Sequence, residues 1–286
     1  MNYQWYPGHM TKAKRMMEEN IKLIDIVIEV LDARIPSSSR NPDIDALGKN
    51  KSRLILLNKS DLADEKKNEL WKEWFLKQGF FVAEVNSKTG AGIRQINQVV
   101  KQACKEKIER DRKRGILNRP VRAMVAGIPN VGKSTFINSY AKKACTKTGN
   151  KPGVTKGKQW IRLSKEIELL DTPGILWPKF EDQTAGLKLA LTGSINDDIL
   201  NIEELAAEFI KIMKKEYPGV IEERYGFKER DGIETSEDII YNIEEIARVR
   251  GCLLKGGDYD IKKASRQIID DFRNGKLGRI TLDMPE

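Results

Sequence analysis

Two short motifs stand in an order that constrains everything else in this chain. Gly127-Ile128-Pro129-Asn130-Val131-Gly132-Lys133-Ser134 fits G-x-x-x-x-G-K-[ST], a loop whose glycines let backbone N–H groups close on nucleotide phosphates. Asn58-Lys59-Ser60-Asp61 lies about seventy residues upstream. Its aspartate can accept hydrogen bonds from the N1–H and exocyclic amine of guanine, which adenine does not offer. In a guanine-nucleotide switch of ordinary connectivity the phosphate loop opens the domain and the base-reading segment comes late. Here both halves of such a site are present with their order inverted, as in a domain whose chain is circularly permuted.

The 286 residues are enough for one or two domains. No apolar run approaches the roughly 20 residues needed to span a bilayer. The opening Met1-Asn2-Tyr3-Gln4-Trp5-Tyr6-Pro7-Gly8-His9 has no signal-peptide core. Cys104, Cys145 and Cys252 are scattered, so neither a zinc spacing nor a disulfide framework is expected, and a reducing cytoplasm is the simplest setting. Charge is uneven. Residues 1–177 carry 34 Lys and Arg against 19 Asp and Glu, a net of +15, whereas residues 178–286 carry 17 against 23, a net of −6. A basic front half suits a polyanionic partner, nucleic acid above all, although a solvated basic surface would look the same.

Apolar patterning predicts a helix over 11–24, a buried strand over 26–31 and a second strand over 54–57 that ends directly in Asn58. A charged helix over 64–77, a strand over 80–85 and a helix over 92–108 follow. The basic stretch 105–119 reads in its second half as the connector between the two ends of the unpermuted domain. The strand 121–126 then feeds the phosphate loop, a helix follows from Ser134, and 160–163 with 167–170 read as a hairpin. Alternating strands and helices predict an α/β domain with a mainly parallel sheet over 1–177. From 178 to 286 helical spacing takes over, as in Leu205, Phe209 and Met213 or Ala264, Ile268 and Phe272, and predicts an all-α domain.

The site follows from the motifs. Asn130, Val131, Gly132, Lys133, Ser134 and Thr135 are expected around the phosphates, with Lys133 neutralising the β and γ oxygens and the Ser134 hydroxyl on Mg²⁺. Asn58, Lys59, Ser60 and Asp61 are expected at the base, Asn58 donating to it and the Lys59 stem covering the ring. Asn86-Ser87-Lys88 follows the next strand, where a backbone N–H can meet the guanine oxygen. Asp171-Thr172-Pro173-Gly174 also follows a strand. Asp171 would hold Mg²⁺ and the Gly174 N–H would sense the γ-phosphate, while Thr155 is placed to be a second Mg²⁺ ligand on a loop ordered by GTP.

With the opening Trp5-Tyr6-Pro7-Gly8-His9-Met10, this series of motifs resembles the circularly permuted P-loop GTPases, specifically the bacterial ribosome biogenesis GTPase A family. The resemblance spans essentially the whole chain. It implies a cytoplasmic enzyme that hydrolyses GTP to GDP and acts late in assembly of the large ribosomal subunit; a monomer is expected beside it. It also implies a C-terminal helical RNA-binding domain and hydrolysis stimulated by the precursor subunit and its rRNA. The position after Asp-x-x-Gly, where many GTPases carry a water-orienting Gln, holds Ile175. The resemblance puts a functional histidine in the segment of His9, as water orienter or as base. Asn130 either shapes the loop or helps to coordinate potassium. Lys262, Lys263, Arg266, Arg273, Lys276 and Arg279 make the last segment basic, interrupted by Asp270 and Asp271. Two other readings stay open: a GTP-gated RNA-binding adaptor with incidental hydrolysis, and a GTPase serving RNA modification or a membrane surface.

Overall fold

The apolar runs of the first half form one six-stranded sheet. The computed structural model describes residues 9–117, 119–145, 160–162, 166–171, 183–228 and 236–285. Chain order in the first part is α1 (His9–Asn20), β1 (Ile26–Asp32), α2 (Pro42–Leu47), β2 (Ser52–Asn58), α3 (Glu65–Lys77), β3 (Phe81–Val85), α4 (Ile93–Ala103), α5 (Lys105–Lys113), β4 (Val121–Ala126), α6 (Lys133–Cys145), β5 (Trp160–Arg162) and β6 (Ile167–Asp171). The strands lie in the order β3-β2-β1-β4-β6-β5. All neighbours are parallel except β5 and β6. The three strands before the basic connector form one half of the sheet and the three after it form the other.

Burial explains the continuous apolar strands. Every residue of β1 is buried, as expected of a parallel strand covered on both faces. Helix α3 covers Leu31, Ile55 and Leu57 with Trp71 and Phe75. Asp64 starts that helix by accepting from the N–H groups of Lys66 and Lys67 (2.9 and 3.1 Å), a cap worth about 1 kcal/mol. Helix α4 turns Ile93, Ile96 and Val100 inward. Cys104 and Cys252 are free and buried.

Three sequence expectations need correction in detail. The helix expected over 11–24 ends at Asn20, whose side-chain amide donates back to the Met16 carbonyl (2.5 Å), and Ile21–Leu23 tighten into a 3₁₀ turn. The helix expected over 92–108 is two helices, broken at Cys104. Ser52 Oγ donates to the Ala103 carbonyl at the break (2.7 Å), and Lys107 beyond it pairs with Asp25 (3.0 Å). The third expectation concerned the C-terminal residues. Asp283 is buried in the sheet-bearing unit, its carboxylate accepting from Ser38 N (2.7 Å) and Ser38 Oγ (3.0 Å) and its carbonyl from Trp71 Nε1 (3.2 Å). The last described residues therefore belong with the first domain rather than the second.

The second compact unit begins near Phe180 and runs to Leu282. Its helices are α7 (Gln183–Leu191), α8 (Ile202–Glu216), α9 (Val220–Tyr225), α10 (Ser236–Arg250) and α11 (Ile261–Arg273). Leu205, Phe209, Met213, Ile246, Ala264, Ile268 and Phe272 form its core. The Phe209 and Phe272 rings meet at 4.8 Å.

Candidate active site

The sheet diverges at β1 and β4, and in open α/β sheets ligands sit outside the carboxyl ends of strands at such a point. Asn58 ends β2, Asp32 ends β1 and the phosphate loop follows β4. Permuting the chain has left these three ends side by side: Asp32 is the register partner of Asn58, and β1 pairs directly with β4.

The phosphate loop is tightly seated. Gly127 has φ +148°, and a Cβ there would stand 2.5 Å from the Val30 carbonyl oxygen. Gly132 has φ +94°, and a Cβ would stand 2.4 Å from Asn58 Nδ2. Both glycines are therefore required by close approach as well as by backbone angle. Asn130 adopts φ +61° without being glycine. Lys133, nearly buried, donates to the Ile128 carbonyl (3.1 Å) across the loop, and Ser134 and Thr135 are exposed at the start of α6. Val131 is buried beneath the loop.

The base-reading segment is tied to this loop by side chains. Asn58 Nδ2 donates to the Val131 carbonyl (2.7 Å), and Asn58 Oδ1 accepts from Ser87 N (3.1 Å). Asn58 thus clamps two loops together, where the sequence suggested a donor to the base. Lys59 takes the left-handed conformation (φ +60°) and its ammonium donates to Asp32 Oδ2 (2.7 Å) and to the Asn130 carbonyl (2.9 Å). Ser60 is half-buried and Asp61 exposed in the 3₁₀ turn that follows, which leaves the Asp61 carboxylate accessible to a ligand. Asn86 accepts from the N–H groups of Lys88 and Thr89 (2.9 and 3.1 Å) and so shapes its turn, while Ser87 is buried with a hydroxyl that has no hydrogen-bond partner among the described residues.

Two residues beside these motifs were missed in the sequence. Asp32 is fully buried and Arg34 grips it with two parallel bonds (Nε 2.9 Å, Nη2 2.7 Å). Burial alone would raise the Asp32 carboxyl, but Arg34 and Lys59 hold it well below the usual carboxylate range. The signal was available: Asp32-Ala33-Arg34 directly follows an apolar strand and contains charges with no reason to be buried singly. Glu29, in the middle of β1, is likewise buried; it accepts from Arg53 (2.8 Å), and burial raises its carboxyl.

Several expected site residues fall outside the described residues: Thr155 and Gly174 entirely, and the side chains of His9 and Asp171. The backbone of Asp171 ends β6 in register with Val125, two residues before Gly127. No cluster of three or more His, Cys, Asp or Glu able to hold a metal occurs among the described residues. The basic C-terminal segment is partly self-paired. Arg273 is bound to Asp197 (2.6 and 2.7 Å) and to two backbone carbonyls, and Lys276 donates to the buried Asp271 (3.1 Å).

This geometry defines a permuted P-loop domain in which the phosphate loop after β4 and the Asn-Lys-x-Asp segment after β2 flank the end of β1. The family described as 50S ribosome-binding GTPase matches residues 122–246, starting where an unpermuted domain would start, at the strand before the phosphate loop. Ribosome biogenesis GTPase A of Bacillus cereus is 48% identical over 286 residues, covering 100% of this chain and 95% of that protein. Its namesake from Thermotoga maritima is 34% identical, covering 99% and 94%. The crystal structure of GNP-bound YlqF from T. maritima superposes with a TM-score of 0.69 at 31% identity, covering 96% of this chain and 99% of that one. The GDP-bound structure gives 0.68 at 30% identity, covering 95% and 99%. The chain belongs to the ribosome biogenesis GTPase A family.

Proposed function

We propose that the protein is a GTP-hydrolysing assembly factor for late maturation of the large ribosomal subunit, held on the precursor with GTP and released with GDP. One observation carries this reading: Asn58 and Lys59 interlock with the phosphate loop in a chain that matches ribosome biogenesis GTPases along its whole length. Lys133 leaves the Ile128 carbonyl to neutralise the β and γ oxygens. Ser134, Thr155 and Asp171 would hold Mg²⁺, which would supply positive charge to the nucleotide phosphates. The residues present suit such an ion: the Ser134 hydroxyl stands exposed at the first turn of α6, and Asp171 ends the strand that pairs with β4, from which the phosphate loop leaves. The Gly174 N–H meets the γ-phosphate. His9 positions the attacking water, because Ile175 has no hydrogen-bonding group. Asn130, exposed and left-handed, would help to coordinate a potassium ion, which would supply positive charge at the site.

An rRNA partner is supported by the connector. Lys105, Arg110, Arg112, Lys113 and Arg114 are exposed on and just after α5. A groove of about 840 Å³ beside them gathers Arg119 and Arg162 around the exposed Ile116 and Leu117. Among the described residues no helix is long and apolar enough to cross a membrane.

Purified large subunits should accelerate GTP hydrolysis, and the protein should sediment with them in the presence of a non-hydrolysable GTP analogue but not GDP. In His9→Ala the stimulated kcat should fall by about 10²–10⁴ with little change in GTP affinity. At matched ionic strength potassium should support faster turnover than sodium, and substitution of Asn130 should erase that difference. Hydrolysis indifferent to large subunits, with free protein in every nucleotide state, would refute the ribosomal role while leaving the nucleotide site intact.

A further inference from the structure

We propose that Asp32, locked by Arg34, is a positioning residue for guanine-nucleotide binding: it fixes the Lys59 ammonium so that the base-reading segment and the phosphate loop stay in register. The inference rests on the nucleotide reading of the site and adds to it two residues outside the recognised motifs.

The geometry has three parts. Asp32 sits on the strand between the two nucleotide-binding segments, and β1 is hydrogen-bonded to β2 on one side and β4 on the other. Its carboxylate is held on every side. Arg34 donates to Oδ1 from its backbone N–H (3.1 Å) and from Nε (2.9 Å), and to Oδ2 from Nη2 (2.7 Å). The Asp32 N–H is anchored by Ser39 Oγ (3.1 Å), itself donating to the Ile35 carbonyl (2.7 Å). The fixed carboxylate then meets Lys59 at 2.7 Å, and the same ammonium reaches the Asn130 carbonyl at 2.9 Å.

The physical consequence is preorganisation. A lysine has four rotatable side-chain bonds, and a free one would have to be ordered each time a base slides under its stem. Anchoring its far end removes much of that cost before the ligand arrives. Pairing also offsets part of an electrostatic penalty. Lys59 alone, three-quarters covered, would tend to lose its proton through burial, and the Asp32 charge opposes this. One carboxylate between two cations leaves the cluster net positive, so it does not repel phosphates next door. The base-reading and phosphate-binding segments lie about seventy residues apart in the chain. A side-chain tie across β1 links them directly in space.

The test is a double-mutant cycle on the full chain, read by binding of fluorescent GDP and GTP analogues and by thermal unfolding without nucleotide. Asp32→Asn should weaken both nucleotides by about tenfold, the scale expected from releasing one ordered side chain. In a Lys59→Ala background the same change should cost less than twofold, because the residue it acts through is gone. Where Asp32→Asn leaves Arg34 too poorly paired to fold, Asp32→Glu keeps the charge but displaces it by one methylene, and the same cycle applies. Equal losses in both backgrounds, or unchanged affinity in a folded Asp32 variant, would overturn the proposal. Failure of the wild type to bind either guanine nucleotide would instead overturn the site reading on which it rests.

Discussion

Asn58 joins three segments through one amide: its own strand end, the phosphate loop at Val131 and the turn at Ser87. Asp61, three residues on, has the opposite character, exposed and unclaimed by the base-side network. The two positions should therefore fail differently. Asp61→Asn should fold normally, weaken GTP and favour xanthosine triphosphate, whose exocyclic oxygen needs a donor in place of an acceptor; competition binding with the two nucleotides checks this. A site built on such hydrogen bonds discriminates strongly when one is mismatched. Equal GTP affinity in the variant would remove Asp61 from base recognition. Lys133, Ser134 and Asp61 could be proposed from the chain because their expected chemistry is carried by neighbours in sequence. For Asp32 and Arg34 the chain shows only charges directly after an apolar strand; that Lys59 reaches Asp32 from the neighbouring strand end is an approach no local spacing encodes.

Among the elements, strands were more legible than helix ends. The apolar runs of β1, β2 and β4 are fixed by burial on both faces, which leaves little choice of residue. The break between α4 and α5 depends instead on Ser52 of another strand reaching the Ala103 carbonyl, an approach invisible in helical periodicity. Helix α11 gives a similar lesson. Asp271 reads as an interruption of a basic surface, yet it is buried and accepts from Arg224, Tyr225, Gln267 and Lys276. Burial would raise its carboxyl, but the bonds from Lys276, Gln267 and Arg224 outweigh it and hold it low. A folded value below the unfolded one, about 4, means stabilisation that is present above pH 4 and lost on acidification through the folded value. Asp271→Asn should then cost about 1–3 kcal/mol at pH 7, with the gap to wild type closing below pH 4. Urea midpoints across that range decide it; a pH-independent gap would mean that the charge is not what stabilises α11.

At the scale of the whole molecule the dominant feature is the division of charge, +15 before residue 178 and −6 after it. Within the positive part the connector is exposed, cationic and outside the nucleotide motifs. Replacing Arg110, Arg112, Lys113 and Arg114 by Gln should leave unstimulated GTP hydrolysis unchanged. It should weaken rRNA binding and flatten its dependence on salt by about 0.7–0.9 in log–log slope for each phosphate no longer neutralised. An unaltered slope would move the RNA-binding surface elsewhere. The Asp283 anchor has a consequence of another kind. Ser38 and Trp71 lie early in the chain, and the carboxylate and carbonyl they hold are translated only after every helix of the second unit. A nascent chain that already contains every nucleotide-binding residue still lacks this buried partner. The part of the protein made first is thus completed by a segment made after the second unit, so full folding of the nucleotide unit waits on synthesis of every helix that lies between.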